Sequence, residues 1–217
     1  MVTNILVAGV GGQGILLTGK LIAQTACLAG FDVKTSEIHG MAQRGGSVVT
    51  HVRYGERVYS PVISPGTADF LLAFEKLEGR RSLPFLKPGG LVILNDYALP
   101  PLPVAVGLEA YPSDTEEYIA QRFPLLLIDA LKEARLHGGD PRMANVLLTG
   151  VLAAFTGIPR ETWEEALERS VPPRFLEGNR KAFARGFELG AAYRQKMAEG
   201  VVDQCGTPRR SACPGRS

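Results

Sequence analysis

The stretch NILVAGVGGQGILLTGKLIA, residues 4–23, decides the fold class. Its first apolar run, Asn4 to Gly9, predicts a short buried strand because turn-forming glycines follow it directly. A helix is predicted from about Gly14 to Ala29, where Gly30 ends it. Residues Asp32 to Glu37 then predict a second strand. A strand, a Gly-rich loop, a helix and a strand in this order predict the start of a parallel, doubly wound α/β sheet.

The rest of the chain predicts further strands and then helices. The segment SVVTHVRYGERVYSPVI, residues 47–63, alternates around Gly55-Glu56 and predicts an antiparallel hairpin. Apolar runs at 70–74, 91–95 and 125–128 predict core strands. From Asp140 onwards the pattern is helical. The expected fold is therefore Rossmann-like α/β, with a mostly parallel sheet, helices on both faces, an antiparallel hairpin and a helical C-terminal part.

The chain is expected to form a single domain over residues 1–197, followed by a disordered tail over 198–217. Its 217 residues, of which 45% are hydrophobic, suffice for one domain with a substantial core. Ser113 and Glu116 predict a capping box that begins a short helix. The last predicted helix holds Gly178, Gly186 and Gly190, each of which costs about 1 kcal/mol against alanine. These glycines predict close packing against another element or another chain.

Composition excludes several classes of protein. A formal net charge of +2 indicates no nucleic-acid partner. No stretch approaches the roughly 20 apolar residues that cross a bilayer, and the N-terminus lacks the basic flank of a signal peptide. Three cysteines at these spacings form neither a disulfide framework nor an iron–sulfur or zinc ligand set. We therefore expect a protein of the reducing cytoplasm, without a membrane partner.

The Gly-rich loop GVGGQG is the first candidate binding site. It matches G-x-G-x-x-G between a predicted strand and a predicted helix. Glycines let the backbone approach a ligand closely, and free amides at a helix start attract an anion. An alternative is that the glycines only tighten a turn. The candidate phosphate- or nucleotide-binding residues are Gly9, Gly11, Gly12, Gln13 and Gly14.

The loop EIHGMAQRGG, residues 37–46, is the second candidate, because open α/β sheets bind ligands beyond the carboxyl ends of their strands. Glu37 stands near the position of a ribose-binding acid. His39 is a further candidate, although a structural imidazole remains open. Arg44, followed by Gly45, is suited to grip a carboxylate or phosphate, or to pair across an interface.

Other polar residues are expected to have structural roles. Glu75 and Glu78 follow an apolar strand and predict ordinary ion pairs with neighbouring cations. His51 is expected to be a strand residue, and His137 to lie near the end of a helix. Asn95-Asp96 closes a strand at the expected crevice edge. No nucleophile arrangement or metal-ligand cluster stands out, so we expect neither a catalytic residue nor a metal site on this chain.

Three blocks of sequence together resemble a known family. VAGVGGQGILLTGKLIA, EIHGMAQRGGSVVTHVRYG and ADFLLAFEKLE resemble the gamma-domain family of 2-oxoacid:ferredoxin oxidoreductases. Within it, HGMAQRGG and the later VPPRFLEGNRKAFARGFELG are similar to the small, or beta, subunit of the indolepyruvate branch. The resemblance extends from about Val2 to Gln195.

This resemblance implies a subunit that is inactive alone. A large alpha subunit would carry thiamine diphosphate, magnesium and the iron–sulfur clusters, and this chain would bind no cofactor firmly. The assembly would decarboxylate indolepyruvate or another aryl pyruvate oxidatively, pass electrons to ferredoxin and deliver the acyl group to coenzyme A. The Gly-rich loop and Arg44 would suit the phosphates of coenzyme A. Homodimer formation by the isolated chain remains open.

Other functions remain compatible with the sequence. The chain could be the gamma subunit of a pyruvate or 2-oxoglutarate type enzyme. It could be a scaffold partner that binds no ligand, in which the glycines only pack. It could also be a solitary dehydrogenase that binds a dinucleotide through Gly9, Gly11, Gly14 and Glu37. The sequence of the loop at residues 37–46, which is unlike that of ordinary dinucleotide enzymes, counts against this.

Overall fold

A computed structural model describes residues 1–40 and 45–200. The strands are Val2–Val10 (β1), Asp32–His39 (β2), Ser47–Gly55 (β3), Ala68–Ala73 (β4), Leu86–Asn95 (β5) and Leu125–Ile128 (β6). The helices are Ile15–Leu28 (α1), Lys76–Ser82 (α2), Leu102–Ala105 (α3), Thr115–Ala120 (α4), Ala130–Gly138 (α5), Ala144–Thr156 (α6), Arg160–Ser170 (α7) and Pro173–Ala198 (α8). Short 3-10 turns cover Leu83–Phe85 and Pro141–Met143. The tail predicted from 198 begins at the end of α8, and its residues 201–217 lie outside the described chain.

The strands form one mixed sheet in the order β2-β3-β1-β4-β5-β6. β1, β4, β5 and β6 pair in parallel, whereas β3 is antiparallel to both β1 and β2. The expected mostly parallel α/β sheet is therefore confirmed. β2 has the direction of β1 but is not its neighbour, because β3 lies between them. The opening strand–helix–strand unit thus differs from the adjacent pair that the sequence predicts.

The predicted hairpin around Gly55-Glu56 is wrong in its second arm. Residues 56–63 form no strand, and the antiparallel hairpin is made by β2 and β3 instead. The reason is that β1 and β2 already occupy both edges of β3. The segment after Gly55 is held by side chains, since the Arg53 guanidinium donates to the carbonyls of Ser60 at 2.8 Å and Val62 at 3.1 Å.

The sheet is covered by helices on both faces, as expected. Along β1, Ile5 and Val7 enter the core shared with α1 and α6–α8, while Leu6 and Ala8 enter the opposite core shared with α4. A strand that is buried on both faces must be apolar at successive positions. This burial explains the uninterrupted run that first predicted the strand. No helix over residues 1–40 and 45–200 is long and apolar enough to span a bilayer.

Helices α6 and α8 pack backbone against backbone. A Cβ at Gly186 would lie 1.9 Å from the carbonyl oxygen of Leu147, and one at Gly150 would lie 2.2 Å from that of Phe183. Gly190 approaches Val151 in the same way. The prediction that the glycines of the last helix mark close packing is confirmed. The partner of Gly186 and Gly190 is α6, whereas Gly178 lies against Gly138 of α5 and Met143.

The predicted capping box at Ser113 and Glu116 is wrong. The N-cap residue of α4 is Asp114, which forms no side-chain capping hydrogen bond. Glu116 instead forms an ion pair with Lys76, with 2.6 Å between the carboxylate and the ammonium nitrogen. This ion pair connects α4 to the start of α2.

Candidate functional site

A cavity of about 380 Å³ lies beyond the carboxyl ends of β1, β4 and β5. Doubly wound folds bind their ligands at this edge. Two segments that are distant in sequence form its walls, namely the Gly-rich loop and the start of the helical C-terminal part. The polar lining includes Gly12, Gln13, Gly14, Asn95, Arg142 and Asn145.

The N-terminus of α1 faces this cavity without a side-chain cap. Gly12 and Gly14 have φ values of +103° and +85°, the left-handed region that favours glycine. Gly14 is the N-cap residue and forms no side-chain capping hydrogen bond, and no acidic residue stands in the first turn of α1. The first amides of a helix have no partner within it and carry the positive end of its dipole. This end of α1 is therefore suited to an anionic group.

The other residues of the Gly-rich loop hold its shape. The Gln13 carboxamide oxygen accepts from the Val10 N–H at 2.8 Å, and its nitrogen donates to the Phe74 carbonyl at 3.4 Å. A Cβ at Gly9 would lie 2.7 Å from that oxygen of Gln13. Gly11 donates its N–H to the carbonyl of Gly46. Only part of the predicted set, Gly12 to Gly14, therefore faces the cavity.

The structure does not bring Glu37 and His39 to this cavity. Glu37 pairs in register with Thr50, and Thr50 pairs with Val7, so Glu37 is level with the middle of β1. Because β3 intervenes, Glu37 is two strand spacings, roughly 10 Å, from β1. His39 lies at the exposed end of β2, with Nδ1 3.5 Å from the carbonyl of Gly40. The expected juxtaposition of a ribose-binding acid with the Gly-rich loop is thus absent.

The described end of the loop after β2, at Gly45, lies near a different cavity. Arg44 lies outside the described residues. Gly45 has a φ of +76° and lines a cavity of about 530 Å³ on the α2 side of the sheet, together with Ser47 and Glu78. The described part of this loop is connected to the Gly-rich loop only at its end, through the bond between Gly11 and Gly46.

The buried acid Glu75 differs from expectation. It is 1% exposed and forms no ion pair with a described residue. Its carboxylate accepts from the N–H groups of Glu78 at 2.9 Å and Leu99 at 3.0 Å, and from the hydroxyl of Tyr111. Burial and the bond to this carboxylate raise the pKa of the Tyr111 phenol. Glu78, in contrast, forms the expected ion pair, with Arg81 at 2.7 Å.

Two residues of the cavity were not found by sequence reasoning. Arg142 and Asn145 stand about 130 residues after the Gly-rich loop, in a segment whose pattern indicates only a helix. Asn95, which the sequence does place at the crevice edge, donates to the Phe74 carbonyl at 3.1 Å and accepts from the Ala130 N–H at 3.0 Å. Its carboxamide therefore connects the ends of β4 and β5 to the start of α5.

Among the described residues, no group of three or more His, Cys, Asp or Glu side chains is arranged to hold a metal ion. The imidazole of His51 is buried in β3, where its Nδ1 accepts from the Ile63 N–H at 3.1 Å. His137 lies in α5 beside Glu133, at 3.6 Å. The structural roles expected for both imidazoles are confirmed.

Comparison with known proteins defines the family. The model of the pyruvate ferredoxin/flavodoxin oxidoreductase family matches residues 4–189. The chain therefore belongs to this family, which confirms the resemblance stated from the sequence. The crystal structure of a keto/oxoacid ferredoxin oxidoreductase gamma subunit from Geobacter sulfurreducens superposes with a TM-score of 0.66 at 26% identity, covering 88% of this chain and 99% of that one.

Two relatives are similar over nearly their whole length. Indolepyruvate oxidoreductase subunit IorB from Pyrococcus horikoshii is 41% identical over 189 residues, which cover 84% of this chain and 93% of that subunit. IorB from Thermococcus kodakarensis is 40% identical over 200 residues, which cover 89% of this chain and 96% of that subunit. The likeness to the indolepyruvate branch is thereby confirmed.

Proposed function

We propose that this chain is the small subunit of an indolepyruvate:ferredoxin oxidoreductase. The assembly would convert indolepyruvate, or a related aryl pyruvate, to the acyl-CoA and carbon dioxide, and transfer two electrons to ferredoxin. The observation that carries the proposal is the identity of about 40% to two IorB subunits along more than nine-tenths of their length. The alternatives of a pyruvate or 2-oxoglutarate type subunit have no comparable support here.

The reaction centre would lie on a larger partner. We place thiamine diphosphate, magnesium and the iron–sulfur clusters on an alpha subunit, because the family resemblance implies this division. The chain described here would be inactive alone and would work in the cytoplasm. Its contribution would be to complete the complex and to hold the co-substrate, which needs positioning more than reactive groups.

Coenzyme A is the ligand that we propose for the cavity at the Gly-rich loop. Its phosphates suit the uncapped N-terminus of α1, where Gly12 has open space beside it and Gly14 is left-handed. The loop with Glu37, His39, Arg44 and Gly45 is proposed to contact the alpha subunit or the far end of the same ligand. None of these residues is proposed to react.

The test is anaerobic co-expression of the tagged chain with the alpha subunit encoded in the same cell. We expect a brown complex that reduces a dye with indolepyruvate only when coenzyme A is present, and more slowly with pyruvate or 2-oxoglutarate. A colourless chain that purifies alone would remove the proposal. Faster dye reduction with pyruvate or 2-oxoglutarate would instead assign the chain to that branch.

Substitutions at two glycines distinguish coenzyme A binding from a purely structural role of this chain. Gly12→Asp places a carboxylate at the N-terminus of α1, and coenzyme A binding should weaken about tenfold because the charges repel. Gly66→Asp is the matched control, since Gly66 also has positive φ and open space but lies in the turn before β4. A pure scaffold predicts the same coenzyme A affinity for both variants.

A further inference from the structure

The side chain of Asn145 is largely buried, and its carboxamide forms no hydrogen bond in the part of the chain that the structure describes. It stands in the first turn of α6 and is 7% exposed. Only its backbone carbonyl is used, as the acceptor of the Thr149 hydroxyl at 2.8 Å. Its amide atoms are not fully enclosed but open to the cavities that this residue lines, where a carboxamide can donate to or accept from a ligand.

The position of Asn145 indicates where such a ligand would lie. A Cβ at Gly14 would lie 2.7 Å from Asn145 Nδ2, so the carboxamide lies directly against the uncapped N-terminus of α1. Asn145 also lines a further cavity of about 240 Å³, which contains Leu17, Phe175 and Asn179. Because Asn145 and Arg142 line both this cavity and the cavity of 380 Å³, they stand at the junction of the two.

Arg142 supplies an oriented cation at the same junction. Its Nε and Nη2 donate to the Asp140 carboxylate at 2.8 and 2.6 Å. The side chain is 83% exposed, so the guanidinium remains accessible. Asp140 lines the smaller cavity and partly balances the charge, so Arg142 is better suited to orient an anion than to attract it from a distance.

We propose that Asn145 and Arg142 are positioning residues for a phosphate group that lies at the N-terminus of α1. Asn145 would donate to a phosphate oxygen, and the guanidinium would face the same group. The uncharged part of the ligand next to this phosphate would continue into the smaller cavity, between Leu17 and Phe175. Coenzyme A is the ligand, and to that extent the inference rests on the proposed function.

Binding to the complete complex, measured by calorimetry with coenzyme A and with inorganic pyrophosphate as probes, tests this arrangement. Asn145→Asp should weaken the binding of both probes about tenfold or more, because a carboxylate would face the phosphate. Arg142→Gln should weaken both about threefold to tenfold, whereas Arg135→Gln, on the exposed face of α5, should weaken neither. If Asn145→Asp folds poorly, Asn145→Leu keeps the volume and removes the donor.

Substitution of Phe175 tests whether the ligand extends into the smaller cavity. Phe175→Ala should weaken the binding of coenzyme A about threefold or more and leave the affinity for pyrophosphate unchanged, because only the longer ligand reaches Phe175. Phe31→Ala, at a comparable exposure of 37% against 40%, should change neither. Unchanged affinity for both probes in Asn145→Asp would overturn the assignment of the phosphate. Weakened pyrophosphate binding in Phe175→Ala would overturn the direction of the ligand.

Activity measurements on the complex distinguish the proposed function from the proposed phosphate site at Asn145 and Arg142. In the Asn145→Asp complex, the KM for coenzyme A should rise while kcat at saturating coenzyme A stays near the wild-type value, as a positioning role requires. If no 2-oxoacid supports dye reduction but Asn145→Asp still weakens coenzyme A binding about tenfold or more, the proposed function fails and the site stands. If indolepyruvate is oxidised normally and binding is insensitive to Asn145, only the site fails.

Discussion

The N–H of Gly11 donates to the carbonyl of Gly46 at 2.9 Å, and this bond joins the Gly-rich loop to the loop that follows β2. The two loops belong to strands that are not adjacent, since β3 lies between β1 and β2. The bond is formed just where β3 begins, because Ser47 pairs with Val10. The bond therefore fixes the end of the loop after β2 against the Gly-rich loop.

Gly14→Ala is expected to destabilise the protein by more than the strain of its φ alone. A left-handed conformation costs a non-glycine residue roughly 1–2 kcal/mol, and the new Cβ would also collide with Asn145 Nδ2. Gly30→Ala has the same φ of +85° with open space around it, so it measures the strain by itself. Denaturant unfolding of both variants gives the difference.

The double variant Gly14→Ala/Asn145→Ala removes that collision and should recover the difference between the two glycines. Equal destabilisation in Gly14→Ala and Gly30→Ala would contradict the contact between Gly14 and Asn145.

Gly186→Ala is expected to cost about 3 kcal/mol of unfolding free energy, or to prevent folding, because a methyl group cannot fit between α6 and α8. The Cβ of the new alanine would lie 1.9 Å from the carbonyl oxygen of Leu147. Ala191→Leu adds more volume on the exposed side of the same helix and should change the free energy by no more than about 0.5 kcal/mol. Near-native stability in Gly186→Ala would show that the two helices can separate at little cost.

His51 should make the stability depend on pH. Burial lowers the pKa of this imidazole, so the unfolded chain binds the proton more readily than the folded one. Its contribution is full above the ordinary value of about 6.5 and is lost as pH falls through the lower folded value. The free energy of unfolding, measured from pH 8 to pH 5, should fall less steeply in His51→Asn, whose Oδ1 can still accept from Ile63. An identical slope in the variant would rule His51 out as the source.

Glu75→Gln should destabilise the protein by about 2 kcal/mol, since the carboxylate is buried and accepts from three donors on separate segments. The same change should move the pKa of Tyr111 back toward its ordinary value, because the bond to Glu75 contributes to the upward shift. Ultraviolet titration of the phenol checks the second effect.

Glu117→Gln, at an exposed position of α4, is the matched control and should change neither quantity appreciably. If Tyr111 titrates identically in the Glu75→Gln variant, the hydrogen bond between the two side chains is not formed in solution.

Local physical rules determined much of the fold from the sequence alone. The apolar runs of β1, β4 and β5 predicted buried strands because both faces of each strand are covered. The glycines of the last helix predicted its close approach to a neighbouring element, and the Gly-rich loop predicted the turn between β1 and α1. The three quoted sequence blocks resembled the family, and the family match over residues 4–189 confirms that resemblance.

Tertiary structure alone decided how the candidate site is assembled. Strand order is set by pairing over long sequence separations, and no local pattern shows that β3 enters between β1 and β2, which removes Glu37 from the Gly-rich loop. Asn145 in α6 and Arg142 in the turn before it reach that loop because α6 packs on α8 and on the sheet. No periodic pattern in the sequence indicates this packing. The sequence by itself determined most of the elements and predicted a candidate anion site at the start of α1, while packing between distant segments decided which side chains face that helix end.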